Sequence, residues 1–148
     1  MKNMLMTAVK TSISEVMETM FFLPVEFGRE TTLAQCGIEK EDNLACRLSF
    51  TGDVSGYLIL LSPEKFITEM AENFLGESRE LFTQEHLSGT LTEMLNMICG
   101  NALSKIDSLV PFELGIPEMV TVSEISGDEM FTLIETTGSK MAIALQVN

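Results

Sequence analysis

The stretch QEHLSGTLTEMLNMICGNALSKIDSL, residues 84–109, is the longest segment with the periodicity of an amphipathic α-helix. At 3.6 residues per turn, one set of its apolar residues falls within about 100° of the helical circumference. We predict a helix that begins after Thr83, ends before Pro111 and packs this stripe against a core. The stripe consists of Leu87, Leu91, Leu95, Ile98, Ala102, Ile106 and Leu109.

The side of this helix opposite the stripe carries Gly89, Glu93, Asn96 and Gly100 within about 60° of each other. A glycine inside a helix costs about 1 kcal/mol relative to alanine, and asparagine is also a poor helix former. The apolar stripe does not require these residues, whereas a second protein could come close to a face without bulk. A site for a protein partner and an ordinary solvated face both fit this pattern.

Strand-like segments on both sides of this helix come in pairs joined by turns. Leu44–Phe50 alternates apolar and polar residues, and the apolar Tyr57–Leu61 follows after the turn at 51–56. Three further strands are predicted at 118–125, 131–136 and 141–147. Hairpins favour antiparallel pairing, so we expect a single domain over 1–148 of the α/β class (α+β type), with a largely antiparallel sheet and helices on one face.

Two more helices complete the predicted order α-β-β-α-α-β-β-β. Residues 3–20 have helical apolar spacing that ends before Pro24, and residues 24–42 are expected to be irregular. A second helix starts at Ser62-Pro63, with serine as the N-cap, and ends at Gly76.

A helix followed by two strands around a Thr-Gly turn occurs twice, which predicts a pseudo-twofold α-β-β repeat. The first copy is Met4–Met20 with Thr51-Gly52, and the second is Gln84–Leu109 with Thr137-Gly138. Identity between the copies is low, so chance similarity stays open.

Composition narrows the possible partners. The 148 residues are 45% hydrophobic and carry a net charge of −13, which opposes binding to nucleic acid and to anionic membranes and fits a basic or neutral protein partner. No apolar run approaches the 18 residues of a membrane span, and the three cysteines form no CxxC pair. We expect a protein of the cytoplasm that has no intrinsic metal.

Other groups capable of chemistry are few. His86 is the single histidine, and we interpret it as an ordinary residue of the helix start. Cys99 is expected to be a small buried residue. Met94 and Met97 flank the Glu-Asn pair and could form an adaptable docking surface.

The segment Glu93-Met94-Leu95-Asn96, followed by Gly100-Asn101-Ala102, resembles the ExxN…GN signature of the CheC/CheX/FliY chemotaxis phosphatases. The resemblance extends over most of the chain and is strongest to CheX. In this group both helices of the repeat can carry an ExxN. Here Glu15 and Glu18 of the first helix would take the two positions, so only the second copy would keep a site.

The resemblance implies hydrolysis of the aspartyl phosphate on a CheY-type receiver domain. Asn96 would orient the attacking water and Glu93 would dock the receiver's lysine, while Gly89, Met97 and Gly100 would contact the receiver. The receiver would supply Mg²⁺, and a homodimer paired through sheet edges is expected. Two alternatives remain: a non-catalytic module that binds a receiver or the flagellar switch, and a structural dimerisation domain.

Overall fold

The computed structural model describes residues 1–36 and 42–148. In these residues an α+β fold joins three α-helices to an antiparallel sheet of seven strands. The helices are α1 (Lys2–Phe21), α2 (Glu64–Leu75) and α3 (Gln84–Ser104). The strands are β1 (Glu26–Thr31), β2 (Asn43–Thr51), β3 (Gly56–Pro63), β4 (Glu113–Leu114), β5 (Glu118–Val120), β6 (Phe131–Thr136) and β7 (Ser139–Val147).

The sheet has the internal symmetry that the repeat predicted. Its strand order is β1-β6-β7-β3-β2-β4, with β5 also paired to β2 along the same edge as β4. The hairpins β2–β3 and β6–β7 meet at the centre through β3 and β7. The strands that come first in each half pair with the other half. β1 of the first half pairs with β6, and β4 and β5 of the second half pair with β2.

All three helices pack on one face of this sheet, as expected, because each buries an apolar stripe there. The main core joins α1, α2 and α3 to inward-facing side chains of β2, β3, β6 and β7. A smaller apolar cluster on the opposite face is covered by Leu33 and Cys36, which follow β1, and by Val122 in a short 3-10 helix.

Two strands were not predicted. β1 lies within residues 24–42, which were expected to be irregular, and residues 37–41 of that range lie outside the described residues. β1 is an edge strand with the sequence EFGRET and no regular burial alternation, and β4 has only two residues. Their pairing depends on the neighbouring strand and not on a local apolar pattern.

Three predicted boundaries were wrong. α3 ends at Ser104 instead of 109, and Leu109 is 97% exposed instead of lying in the core stripe. α2 begins at Glu64 without a serine cap, because Ser62 is a buried strand residue whose hydroxyl donates to the Pro63 carbonyl. The strand predicted at 118–125 stops at Val120 and is followed by the 3-10 helix at 122–124.

Candidate functional site

The start of α3 is fixed by a reciprocal cap. The Thr83 hydroxyl accepts from the His86 N–H, and the Thr83 N–H donates to His86 Nδ1 at 2.9 Å. The His86 ring also contacts the Phe82 ring, with 5.6 Å between ring centroids and 48° between the ring planes. The single histidine lies at the helix start, as expected, and its capping role, which the sequence analysis did not predict, anchors the element that carries the site.

The inner side of α3 is held firmly against the sheet and α1. Leu91, Leu95, Ile98 and Cys99 are fully buried, and the Cys46 thiol of β2 donates to the Leu91 carbonyl at 3.7 Å. Burial raises the pKa of the Cys46 and Cys99 thiols to about 12, so both are neutral packing groups. This packing fixes the rotation of α3 and therefore which residues face outward.

Glu93 and Asn96 lie on the outward side of α3, one turn apart. Glu93 is exposed and Asn96 is partly buried, and neither side chain has a hydrogen bond or ion pair among the described residues. A carboxylate and a carboxamide three residues apart are neighbours on a helix. Both are therefore available to groups outside the chain.

The two glycines beside this pair have no internal packing role. A Cβ added at Gly89 would meet nothing within 4 Å, and one at Gly100 would only touch Leu114 Cδ1 at 3.7 Å, an ordinary contact. Both glycines have negative φ, so alanine would fit the backbone. Since each costs the helix about 1 kcal/mol relative to alanine, a surface that must accept a partner closely explains them better than the fold does.

The two methionines near the pair differ in position. Met97 is partly buried and packs on the edge of the core, so it contributes to the surface beside Asn96. Met94 is only 1% exposed, and the expectation that it flanks a docking surface was wrong, because it belongs to the main core on the buried side of α3.

Asn101 of the GN pair has an internal partner. Its amide donates to Glu15 Oε2 of α1 at 2.7 Å, and Lys105 Nζ lies 3.2 Å from Glu15 Oε1. The Asn101 amide, followed by Lys105, lowers the pKa of the Glu15 carboxyl. Asn101 thus ties α3 to α1 and does not belong to the exposed Glu-Asn face.

The burial patterns of α1 and α3 give the register of the repeat. Each buried residue of α1, from Leu5 to Phe21, lies 82 positions before a buried residue of α3, from Leu87 to Leu103. The earlier assignment of Glu15 and Glu18 to the ExxN positions is therefore wrong. With this offset, Thr11 and Ser14 of α1 correspond to Glu93 and Asn96.

A shallow groove of about 310 Å³ continues from the Glu-Asn face at Gly100. Its walls include Leu103, Ile106, Phe112 and Leu114. This groove was not predicted from the sequence, in which the available signal was the run of apolar residues Pro111, Phe112 and Leu114 after α3. A larger cavity of about 630 Å³ lies elsewhere, between the first turn of α2 and the β6–β7 turn, and has lysines and carboxylates in its wall.

Several types of site are not found in the part of the chain that the structure describes. No group of three or more His, Cys, Asp or Glu side chains there could hold a metal ion. Within the same residues, no helix combines the length and the apolar character that a membrane crossing requires. All three cysteines are buried free thiols.

The chain matches the family model "Chemotaxis phosphatase CheX" over residues 44–132. This match covers more than half of the sequence, from β2 to the start of β6, and includes the whole of α3. The chain therefore belongs to the CheX family.

Solved structures agree with this assignment at the level of the fold. CheX from Vibrio vulnificus is 18% identical with a TM-score of 0.76, over 97% of this chain and 99% of that chain. The CheX–CheY–BeF3–Mg²⁺ complex from Borrelia burgdorferi matches at 16% identity and a TM-score of 0.74, over 97% of both chains. The FliM middle domain from Vibrio alginolyticus has a TM-score of 0.56 at 16% identity, over 97% of this chain and 92% of that chain. The search of curated proteins finds no match to this sequence.

Proposed function

We propose that this protein is a phosphatase that hydrolyses the aspartyl phosphate of a CheY-type receiver domain in the cytoplasm. Asn96 orients the attacking water, and Glu93 docks the lysine of the receiver. The observation that carries this proposal is the unpartnered Glu93–Asn96 pair between two glycines that the fold does not need. Membership of the CheX family and the CheY complex of the Borrelia relative support the same partner.

Hydrolysis of the aspartyl phosphate requires few groups from the enzyme. Water attacks the phosphorus in line, the bond from phosphorus to the receiver aspartate breaks, and inorganic phosphate and a free carboxylate result. The receiver supplies Mg²⁺, which neutralises charge on the phosphoryl oxygens. What remains is to hold one water in line with the bond that breaks, and positioning of this kind is a large part of catalysis.

Asn96 is suited to that role because its amide is neutral and both donates and accepts hydrogen bonds. It does not repel an anionic phosphoryl group, as a carboxylate in its place would. The packing of α3 on α1 and β2 fixes the backbone of Asn96, so that its side chain is offered to a partner in a defined direction.

Glu93 has a different task. A carboxylate is repelled by phosphate, so its partner is a cation, and a charge-assisted bond to the receiver's lysine orients the complex. The open surface at Gly89 and Gly100, with Met97 between them, lets the rim of the receiver's active site approach the helix.

The deciding experiment measures the decay of a ³²P-labelled CheY-type receiver with the parent protein, Asn96→Ala and Glu93→Ala. We expect Asn96→Ala to reduce the accelerated rate by about 10²–10³ while binding survives, because one positioned donor is lost at the transition state. Glu93→Ala should weaken binding and turnover together. The matched control is Ser14→Ala, which changes the corresponding position of α1 and should keep the parent rate.

Equal acceleration by the parent and both variants would contradict the assignment of these residues. A second candidate function, a non-catalytic receiver- or flagellar-switch-binding module, is favoured by the shared fold of the FliM middle domain. Binding of the phosphorylated receiver with no change in its decay rate would select that function.

We also propose a homodimer that pairs through sheet edges. The outer edges of β1 and of β4–β5 end the sheet among the described residues, and an unpaired strand edge is a template for such pairing. Light scattering coupled to size-exclusion chromatography tests this, and a mass of 16.4 kDa would contradict it.

A further inference from the structure

Phe22, at the end of α1, has a left-handed backbone and an exposed aromatic side chain, and both are unfavourable for the isolated chain. Phe22 has φ 56° and ψ 33°, the left-handed conformation, and is the one non-glycine residue with positive φ in the described part of the chain. Gly76 takes the same conformation at the end of α2. A bulky side chain is disfavoured there, and the Phe22 side chain is also 85% exposed to water.

Phe22 belongs to a small apolar surface, which we call the knuckle. Its neighbour Phe21 is buried and lies against Phe74 of α2, with 6.3 Å between ring centroids, so the ends of α1 and α2 meet here. Met20, Phe74 and Leu75 are exposed around this contact, by 36–40%. Residues held in strained conformations concentrate at functional sites.

The position of the knuckle relative to Asn96 follows from the directions of the helices. The first turn of α1 shares a groove with Thr132 of β6, since Lys2 is in its wall. The other end of α1 lies near the other end of β6, because the Thr136 hydroxyl donates to the carbonyl of Pro24, three residues after α1, at 3.0 Å. α1 therefore runs in the same direction as β6.

α3 follows β2 in the same way. The Leu91 carbonyl contacts Cys46 near the start of β2, and Gly100 lies beside Leu114, which pairs with Phe50 near the end of β2. Three antiparallel pairings separate β2 from β6, so these strands run in opposite directions. The helices above them, α1 and α3, are therefore antiparallel.

One contact then sets the register between the two helices. Glu15 of α1 bonds to Asn101 and Lys105, so it lies level with the middle of that pair. Phe22 is seven residues further along α1, about 10 Å at the helical rise. Moving the same distance back along antiparallel α3 reaches Asn96, so the knuckle flanks the Glu-Asn face.

We propose that the knuckle is a docking surface for the CheY-type receiver, with Phe22 as its aromatic anchor. This inference rests on the proposed function, because Asn96 can act only when the receiver lies over it. A stable interface covers roughly 800 Å² on each partner, far more than the five receiver-contacting residues of α3 provide. The receiver must therefore extend onto a neighbouring surface, and the knuckle is apolar, exposed and level with Asn96.

The surface that meets the knuckle is an apolar patch on the rim of the receiver's active site. Aromatic residues that fill such patches carry a large share of the binding energy at interfaces. A net charge of −13 on the chain disfavours anionic lipid as the alternative occupant.

The test is Phe22→Gly, which removes the ring and suits the left-handed backbone. We expect the thermal midpoint of unfolding not to fall, and the Kd for a receiver loaded with Mg²⁺ and beryllofluoride to rise about tenfold. In the decay assay KM should rise by a similar factor with kcat little changed. The matched control is Met130→Ala, an exposed apolar residue just before β6 and outside the knuckle, which should bind like the parent.

A Kd for Phe22→Gly within twofold of the parent would overturn the proposal. The proposal would also be overturned if Phe22→Gly changed self-association, measured by sedimentation velocity, and left receiver binding unchanged. The knuckle would then bind a second copy of the chain. If Phe22→Gly binds weakly but Asn96→Ala keeps the parent decay rate, the docking surface stands and the proposed catalysis fails. If no CheY-type receiver of a panel binds the parent, both are overturned.

Discussion

The helices α1 and α3 are the same scaffold used in two different ways. Every buried residue of α1 has a buried counterpart 82 positions later in α3, and each helix lies over one half of the same sheet. Their outward faces differ: α3 presents Gly89, Glu93, Asn96 and Gly100, where α1 has Thr7, Thr11, Ser14 and Glu18. The comparison shows that core packing preserves the fold of both copies, whereas the proposed chemistry depends on four outward residues that the core does not constrain.

The largest expected effect comes from replacing the neutral side-chain amide of Asn96 with a charged carboxylate. Asn96→Asp keeps the shape of the side chain, but its carboxylate repels the phosphoryl group and cannot donate to it. We expect receiver dephosphorylation to fall by about 10³, at the upper end of the effect of losing one donor. In the same measurement of receiver decay, Ser14→Asp on α1 should give the parent rate. An equal loss of rate in Ser14→Asp would mean that the outward faces of both helices contact the receiver.

The second effect tests the open space on α3. Gly89→Leu places a large side chain where, apart from the neighbouring backbone of α3 itself, nothing lies within 4 Å of the added Cβ, so folding should be preserved and the helix stabilised. The receiver would be displaced from Asn96, and we expect kcat/KM to fall about 10²-fold.

The control for Gly89→Leu is Thr7→Leu at the corresponding position of α1, which should leave kcat/KM unchanged. Activity of Gly89→Leu equal to the parent would show that the partner does not approach this turn of α3.

A smaller effect concerns the buried sides of the two helices. At one pair of corresponding positions α3 has Met94, while α1 has Ser12, whose hydroxyl is buried without a hydrogen-bond partner among the described residues. Ser12→Ala should raise the free energy of unfolding by about 1 kcal/mol, because the unsatisfied hydroxyl is removed and the helix propensity improves. Urea denaturation measures this, and a decrease in stability would show that the hydroxyl has a partner in solution.

The smallest effect concerns the contact between the two helices. The Asn101 amide and Lys105 hold the pKa of Glu15 below its usual range, so this carboxylate stabilises the fold above its unfolded pKa. The stabilisation is lost as the pH falls through the lowered pKa of the folded state. The urea midpoint of Glu15→Gln should therefore lie slightly below that of the parent at pH 7, and the gap should close as the pH falls through the lowered pKa of Glu15 in the folded state. A gap that does not change with pH would rule out the titration of Glu15 as its cause.

Most of the fold could be predicted because its elements bury regular apolar patterns. α1, β2, β3, α3 and the β6–β7 hairpin were all recognised from such patterns or from turn residues. β1 was missed because it is a charged edge strand, whose pairing with β6 is visible only in three dimensions. The end of α3 was misplaced because Leu109 continues the apolar spacing, whereas its N–H leaves the helix and donates to Asp53 at 2.7 Å.

The candidate site could be located from the sequence because it lies within one helix. Helical geometry alone places Glu93 and Asn96 together between two glycines, and the structure leaves both side chains without partners among the described residues. The knuckle could not be found in that way. It needs the meeting of α1 with α2 and the register of α1 against α3, which are tertiary contacts between residues distant in sequence.

The exchange of first strands between the two halves of the sheet has a consequence for how the chain folds. Neither half pairs all of its strands within itself, because Glu26 of β1 pairs with Glu135 of β6, and Ala45 of β2 pairs with Val120 of β5. Pairings between residues this far apart are slow to form, and they lock the halves into a single cooperative unit. The two copies are interlinked in the manner of a domain-swapped dimer on one chain, so a gene cut between them would yield two fragments that fold only together.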